Sequence, residues 1–577
     1  MRLVLAIVSF VVADLMIGYG IAQRTIFAEP DRVTVSTVVD SETAVTIIDG
    51  AALNAFEGSQ TVQVNGVGEI FTGYGRTTDV LAWLGEAEYT LVSFDAESGE
   101  LESTLVRGLE TELPNPNGSD LWLDDYLKED ELSLTVNVPE DISFIVAADG
   151  VEPAPDAIAI SWPLDNSTPW SGPLIAGGAI VLLLGLGLLL WATSKMKSSH
   201  GPRRKTPKQP KQARRKTSRK STQTAASGRR RGMIAVPIVL VGALALSGCS
   251  GDFWPDLDGA AVAPSAEATE APAEVQLDPP AVTVRQVERI VARISAIAEI
   301  ADADRDAELI ATRFDGAALE LRLANYKIRG VDGTVAALAA IPDGPVKLTL
   351  PQQTVVWPRT VFAVIQDDKD ATIPPIAIFL EQADPRSDYK VTYAITLEPA
   401  AVLPDVAPAS VGASRLATDS NVLKFTPTEV ALAYADILER DVESSAFLDF
   451  EAEGDSLRVA VGLDAKKAIR ASLPTTASVT FEHLMGEAQE IALATNSAGA
   501  IVAVHLYETT TVKPVEAGAA VNPSGQVKAL SGVAISTKGV VATYGDQLLF
   551  YVPPAGSDEK IVLLGYSQGL VKASEIG

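Results

Sequence analysis

Apolar residues fall into three arrangements along the chain, and each predicts a different kind of element. Two runs are almost wholly apolar: Leu3–Ala22, twenty residues behind Arg2, and Leu174–Ala192, nineteen residues without a charge. At about 1.5 Å of helix rise per residue, each run suits a hydrocarbon core of ~30 Å. Trp170 and Trp191 flank the second run as interfacial aromatics do. Both runs (3–22 and 174–192) are expected to be transmembrane helices, the first as a retained anchor because it lacks a convincing small-residue cleavage site. Asp14 lies mid-run, where a carboxylate is costly. It is expected to be a helix-packing polar group, or a tolerated residue near the end of a short helix, rather than part of a proton path, because no second intramembrane ionisable residue accompanies it.

Residues 25–170 carry the second arrangement, short alternating or β-branched stretches separated by Gly, Asn, Asp and Pro. Examples are Arg32–Val39, Glu88–Phe94, Glu131–Val138, Ile142–Ala147 and Ala157–Trp162. This pattern predicts an all-β, antiparallel sandwich or barrel. The third arrangement, helical spacing followed by strands, fills residues 281–577. Thr283 and Gln286 form a capping box ahead of Val284, Val287, Val291, Ile294 and Ala298. Further helices are expected over Asp304–Phe314 and Ala317–Tyr326, then strands at Thr360–Ile365, Ile376–Leu380 and Lys390–Leu397. The order restarts at Thr426-Pro427-Thr428-Glu429, a second capping box with proline at the first helical position. Helices to Leu438 and over Asp455–Leu473 precede strands at Ile491–Ala494, Ala500–Thr511, Gln526–Ser536, Gly539–Tyr544, Leu548–Val552 and Ile561–Tyr566. The reading is a multidomain membrane protein: an all-β exported domain, then a tandem of α+β units, 281–415 and 416–577, with helices packed on curved antiparallel sheets.

Charge sharpens the topology. The 577-residue chain has a net charge of -28, yet residues 193–232 hold fifteen Lys/Arg and no acid. The rest of the chain then balances at -43. The positive-inside rule assigns 193–232 to the cytoplasm, and its Pro/Ser/Thr/Gln-rich composition cannot bury a core. Anionic lipid head groups are its expected partner, at about 1 kcal/mol per basic residue near the surface. An acidic chain without a basic folded face is not expected to bind nucleic acid. One cysteine and three histidines exclude a disulfide framework and a Cys-rich zinc site, and leave a His-based metal centre without ligands.

Arg229-Arg230-Arg231, the apolar run from Met233 and the sequence Leu246-Ser247-Gly248-Cys249 resemble a bacterial lipoprotein signal with its lipobox. The resemblance implies that Cys249 bears the lipid and that residues 233–249 are a signal-like segment; the alternative is a third transmembrane helix. The position is unusual for a signal, and Met233 reads as an ancestral start, as if a membrane protein had been fused to a lipoprotein. Residues 250–280, rich in Pro, Ala and Glu, read as a tether. The region 281–577 resembles an uncharacterised lipoprotein domain of Ala- and Val-rich Gram-positive bacteria, through Trp357-Pro358-Arg359 and Leu564-Gly565-Tyr566-Ser567-Gln568-Gly569-Leu570. The element order is similar to nuclear-transport-factor-like folds. The resemblance implies location and fold, and no chemistry.

Candidate chemistry is sparse. Gly565-Tyr566-Ser567-Gln568-Gly569 matches the nucleophile elbow and resembles that of cutinase-type esterases, but eight residues cannot supply the helix, acid and histidine that must follow. A strand with crowding-relieving glycines is the expectation, and no catalytic residue is assigned. His505 and Tyr507 share a strand face and could line a pocket, with His505 expected half-exposed. His483 and Glu482 have no evident partner. Asp120, Asp124, Asp125, Glu129, Asp130 and Glu131 surround Trp122; a solvated acidic loop is expected over calcium coordination, because EF-hand spacing is absent. Asp367, Asp368 and Asp370 read as a turn. No cofactor or metal site is assigned. Two functions remain: a membrane-anchored envelope protein whose extracellular domains bind or assemble without catalysis, with a cell-wall polymer, a small ligand or another envelope protein as partner, or an envelope-acting hydrolase or transferase using a carboxylate site in 281–577.

Overall fold

The computed structural model describes residues 2–27, 30–39, 43–164, 168–197, 277–368, 370 and 372–577. The basic segment with His200, the run with Cys249 expected to be a lipobox and the stretch up to residue 276 expected to be a tether lie outside the described residues. The fold is mixed α/β and divides into two compact units: residues 1–34, 56–58 and 161–271, and residues 35–55, 59–160 and 272–577.

The first unit contains two helices long and apolar enough to cross a membrane, Arg2–Thr25 and Ser171–Lys197. They pack antiparallel through small residues. A Cβ on Gly178 would stand 2.6 Å from Ile17, and one on Gly20 would stand 2.8 Å from Ile175. Ala6, Ala13 and Gly20, spaced by seven, are buried on the shared face. Such stripes let helix backbones approach closely where burial of apolar surface gives no driving force. Asp14 is exposed and off this face, so of its two expected readings it is not a polar group packed between these two helices.

The first sheet comprises β1 (Arg32–Val38), β2 (Val45–Ile48), β3 (Gln60–Arg76), β4 (Tyr89–Asp95), β5 (Glu100–Val106), β6 (Asp124–Val136), β7 (Ile142–Ala147) and β8 (Ala157–Pro163). Its order is β1-β8-β3-β7-β2-β4-β5, with β6 also on β3. The region is not all-β. Helix Thr77–Leu84 buries Val80, Trp83 and Leu84, and β2 pairs with β4 in parallel, Thr46 opposite Thr90. A parallel pair needs a long crossover, and β3 with this helix provides it. Trp83 and Trp122 meet at 5.4 Å in the core beneath.

Residues 278–577 form one ten-stranded antiparallel sheet, not two separate ones. Its strands are β9 (Val346–Pro351), β10 (Arg359–Ile365), β11 (Ile376–Gln382), β12 (Lys390–Leu397), β13 (Arg415–Leu416), β14 (Ala477–Met485), β15 (Ile491–Ala494), β16 (Ala500–Pro514), β17 (Val540–Val552) and β18 (Val562–Glu575). The order is β13-β15-β16-β17-β18-β12-β11-β10-β9, with β14 also on β16. The halves join where β12 meets β18, Thr396 opposite Tyr566 and Leu397 opposite Gly565. The sheet then curls until its ends meet. An isolated bridge links Gln352 to Ala413, and Arg415 on β13 donates to Glu381 on β11 at 2.7 Å.

Helices cover the outer faces. Both capping boxes form, at Thr283/Gln286 and Thr426/Glu429. Helices Val284–Asp304, Ala307–Arg313 and Gly316–Val331 pack on Val361, Ala363, Ile378 and Leu380. Helix Pro427–Arg440 packs on Val502, Val504, Leu548 and Phe550. Inner-face residues of both halves, among them Phe362, Phe379, Ile501 and Leu549, share a third core. Gly462 divides the expected 455–473 helix into Ser456–Val461 and Leu463–Ser472. The expected strand 526–536 begins as a helix, Gly525–Ser531, ending on Gly532 at φ 68°. The expected breaks after Tyr544 and after Tyr566 do not occur: Gly545, Asp546 and Gln547 pair in unbroken register with Gly569, Gln568 and Ser567.

Within the second unit, residues 43–160 and 278–577 are joined by arginines of the later region. Arg359 grips Asp79 with two contacts, 2.6 and 3.1 Å, and both residues are buried. Asp120 receives Arg313, Arg293 at 3.2 Å and the Tyr389 amide at 3.0 Å. Arg289 donates to the carbonyls of Trp122 and Leu123, and Arg386 to those of Trp83 and Leu84. The acidic cluster is therefore not a solvated loop. Asp120 is fully buried, Asp124 and Asp125 are half-buried and face Arg289 and Arg293, and residues 124–131 belong to β6; Glu129, Asp130 and Glu131 stay exposed.

Candidate functional site

The outer face of the second half-sheet carries alternate residues of β16 and β17: Leu506, Glu508 and Thr510 stand beside Asp546, Tyr544 and Ala542. The apolar end of that face is filled by helix Pro427–Arg440. Beyond Leu506 the side chains turn polar and the covering element becomes helix Leu463–Ser472, which sends Lys466 down onto the sheet.

Lys466 is fully buried. Its ammonium lies 3.2 Å from the Leu438 carbonyl, 3.2 Å from His483 Nε2 and 3.8 Å from Glu508. Burial lowers its pKa, opposed by the Glu508 charge. Burial likewise lowers His483, to about 3, with Lys466 adding to the effect, so the neutral ring accepts the lysine proton. His483 thus has a partner the sequence did not reveal; Glu482, on the exposed side of the strand, is not part of the site. Burial raises Glu508 and pushes Asp546 up to about 8, where the Glu508 charge contributes. Glu508 Oε2 has no hydrogen-bond partner among the described residues, and the Asp546 carboxyl has at most the side chain of its cross-strand neighbour Gln568, which opposes the upward shift. Buried polar atoms are nearly always paired, so a carboxyl pair this poorly satisfied marks a place where a donor from elsewhere would be accommodated.

Two cavities open at this point. One of ≈ 200 Å³ is lined by Lys466, Ile469, Phe481, Glu508 and Gln568; the other, of ≈ 440 Å³, by Leu473, Val512, Val521, Val527 and Val540. Both are lined by Thr510 and Tyr544. Asp546 lines neither. A larger cavity, ≈ 460 Å³, lies elsewhere in the same region, lined by Leu321, Ile376, Gln547 and Ser567. Its inner polar groups are already engaged: Gln547 accepts from the Ala394 amide at 2.8 Å and Ser567 from the Thr396 amide at 3.2 Å. The partly unpaired carboxylate of Glu508 distinguishes the smaller of the first two cavities.

His505 and Tyr507 do come together, with ring centroids 4.8 Å apart. They line none of these cavities, and His505 is 1% exposed rather than half-exposed, because helix Gly316–Val331 covers that face. Tyr507 donates to Glu320 at 2.9 Å, Lys572 pairs with Glu320 at 3.1 Å, and His505 accepts from the Ala488 amide at 3.4 Å. This is a satisfied structural network. Ser567 sits inside β18, not on an elbow. Asp367, Asp368 and Asp370 lie between β10 and β11, where Asp370 accepts from the Thr372 amide and Asp368 meets Lys347.

No curated protein and no solved structure matches the chain. Residues 278–575, the whole of the ten-stranded sheet and its helices, match the model of a domain of unknown function, DUF8094, and by that match over half its length the chain belongs to the DUF8094 family.

Proposed function

We propose that this is a membrane-anchored envelope protein whose two large regions face outward and which binds a small molecule without transforming it. The carrying observation is buried Glu508, which lines the smaller cavity among Val461, Ile469 and Phe481 and has one oxygen without a partner among the described residues, next to buried Asp546. Such a cavity suits a ligand with an apolar body and a polar end that presents N–H or O–H donors. Anchoring is supported by the two apolar helices, with the basic segment 193–232 on the cytoplasmic side against anionic lipid and Cys249 as the acylated residue. The fold reading that goes with it keeps two α+β halves related to nuclear-transport-factor-like architecture. A hydrolase or transferase is the second reading, favoured by one observation: Asp546 is held protonated beside Glu508, as in general acid catalysis. Asp546 lines neither cavity, so it could not touch a substrate there, and binding is the better account.

The test uses N-phenyl-1-naphthylamine, a neutral apolar fluorophore with one N–H donor. The full-length chain in detergent is expected to enhance its emission saturably. Thr510→Trp, at one of the two residues common to both cavities, is expected to abolish the enhancement. Equal binding by the variant would refute the site. Mass spectrometry of the membrane fraction separately checks for a diacylglyceryl fragment beginning at Cys249.

A further inference from the structure

With one exception, the hydrogen bonds and ion pairs described between residues 43–160 and 278–577 place an arginine or amide of the later region on an acid or carbonyl of the earlier one. Arg289, Arg293, Arg313, Arg359 and Arg386 supply the charge; Asp79, Asp120, Asp124, Asp125 and Glu110 receive it. Gln286, the partner in the first capping box, also donates to the Leu121 carbonyl at 3.0 Å. In the opposite sense, Arg76 donates to the Pro280 carbonyl at 2.8 Å. Asp79, Asp120, Arg313 and Arg359 are all buried. Buried charges of this kind are stable only while paired, so each region carries charges that require the other. The polar set surrounds an apolar centre, in which Trp357 packs against the Trp83 and Trp122 core.

We infer that residues 278–577 recognise residues 43–160 as a docking partner, that the two stay together without the intervening chain, and that both therefore occupy the same side of the membrane. The last clause rests on the membrane reading above. Its consequence is topological. Helix Ser171–Lys197 carries the chain away from the side that holds residues 43–160. A partner domain on that side at residue 278 requires the chain to return within residues 198–276. The apolar run Met233–Gly248 is where the sequence allows it. A lipid anchor at Cys249 after cleavage would produce the same outcome with two chains instead of one, and the docking surface would then be what holds the second chain to the first.

The experiment places a site-specific protease sequence after Gln223 in the full-length chain. After complete cleavage in detergent at 0.15 M salt, the two fragments are expected to co-elute on size exclusion. Separation into two peaks would overturn the inference. In the Arg313→Glu/Arg359→Glu chain the fragments are expected to dissociate, with affinity down ~100-fold. The exchange Asp79→Arg/Arg359→Asp is expected to restore part of the loss relative to Arg359→Asp alone, which separates docking from general misfolding. For sidedness, Glu97→Cys and Asp558→Cys, both exposed positions, are labelled on intact cells with a membrane-impermeant maleimide, against the unsubstituted chain as background. Both label, or both are protected until lysis, if the regions share a side. Protection of both would reverse the outward orientation and leave the docking intact. Labelling of one alone would overturn the inference.

Discussion

Replacing Arg359 by Met removes the cation at the centre of the contact between the two regions while keeping much of the side-chain volume. Arg359 is 1% exposed and Asp79 5%. The guanidinium makes two contacts to the Asp79 carboxylate, stacks 3.8 Å above the Trp357 ring and donates to the Val355 carbonyl at 3.3 Å. After the substitution, Asp79 keeps Arg76 at 3.7 Å as its nearest cation. Breaking one side of a buried pair costs ~3–5 kcal/mol, and the residual Arg76 contact puts this case at the lower end, ~3 kcal/mol. The assay is urea unfolding of the full-length chain, followed through Trp83 and Trp122, which sit in the core beneath the contact. A cycle of Arg359→Met, Asp79→Asn and the double variant is expected to yield a coupling of ~2 kcal/mol. The exposed pair Arg440–Asp436 is the control and should give no more than ~0.5 kcal/mol. A coupling for Arg359–Asp79 as small as the control's would refute the claim that burial makes this pair different.

Four further outcomes follow from the geometry. The folded chain holds Asp546 protonated up to about pH 8, whereas an unfolded aspartate releases its proton near ~3.9. Native stability should therefore fall as pH rises through that window and level off above it; Asp546→Asn should flatten the curve in urea midpoints at pH 5, 7 and 9, and parallel profiles would refute the assignment. Ser567→Ala should leave any ester hydrolysis by the chain unchanged and cost ~1 kcal/mol through loss of the acceptor for the Thr396 amide. Gly565→Ala should cost more, ~1–3 kcal/mol, because its Cβ would stand 2.4 Å from the Thr396 carbonyl at the seam between the half-sheets. Gly178→Ile should weaken pairing of the two apolar helices, read by disulfide crosslinking of cysteines placed at Ser9 and Gly185, which face each other across the pair; undiminished crosslinking would show that the close approach does not matter.

Elements governed by local rules were legible in the sequence. Both capping boxes, the two long apolar helices and strands such as β12 follow from spacing that a few consecutive residues carry. Elements fixed by distant partners were not. The stretch 526–536 reads as a strand by composition, yet Gly525–Ser531 forms a helix whose Val527 packs near Ile328 and Leu570. The site itself was missed for the same reason. Lys466 looks like one more surface lysine on an amphipathic helix, and Glu508 interrupts an apolar strand without saying what lies above it. A usable signal existed: Glu508 and Asp546 are acids at core-face positions of strands whose neighbours on that face, Leu506 and Leu548, are fully buried. An acid in that phase has to be paired, neutralised or held for a ligand.

The acidic cluster around Trp122 illustrates how a charge run changes meaning once its partners are known. Five of the thirteen arginines in residues 278–577 face residues 43–160. Both Asp120 oxygens are taken, one by Arg293 and the other by Arg313 and the Tyr389 amide, so a cation would have to displace guanidinium groups from a buried carboxylate. Calcium needs several free oxygens, and here the buried one is already saturated. Five arginines of one region meet five acids of the other. A chain that is strongly negative overall can thus hold two of its own regions together, because their charges are complementary where they touch.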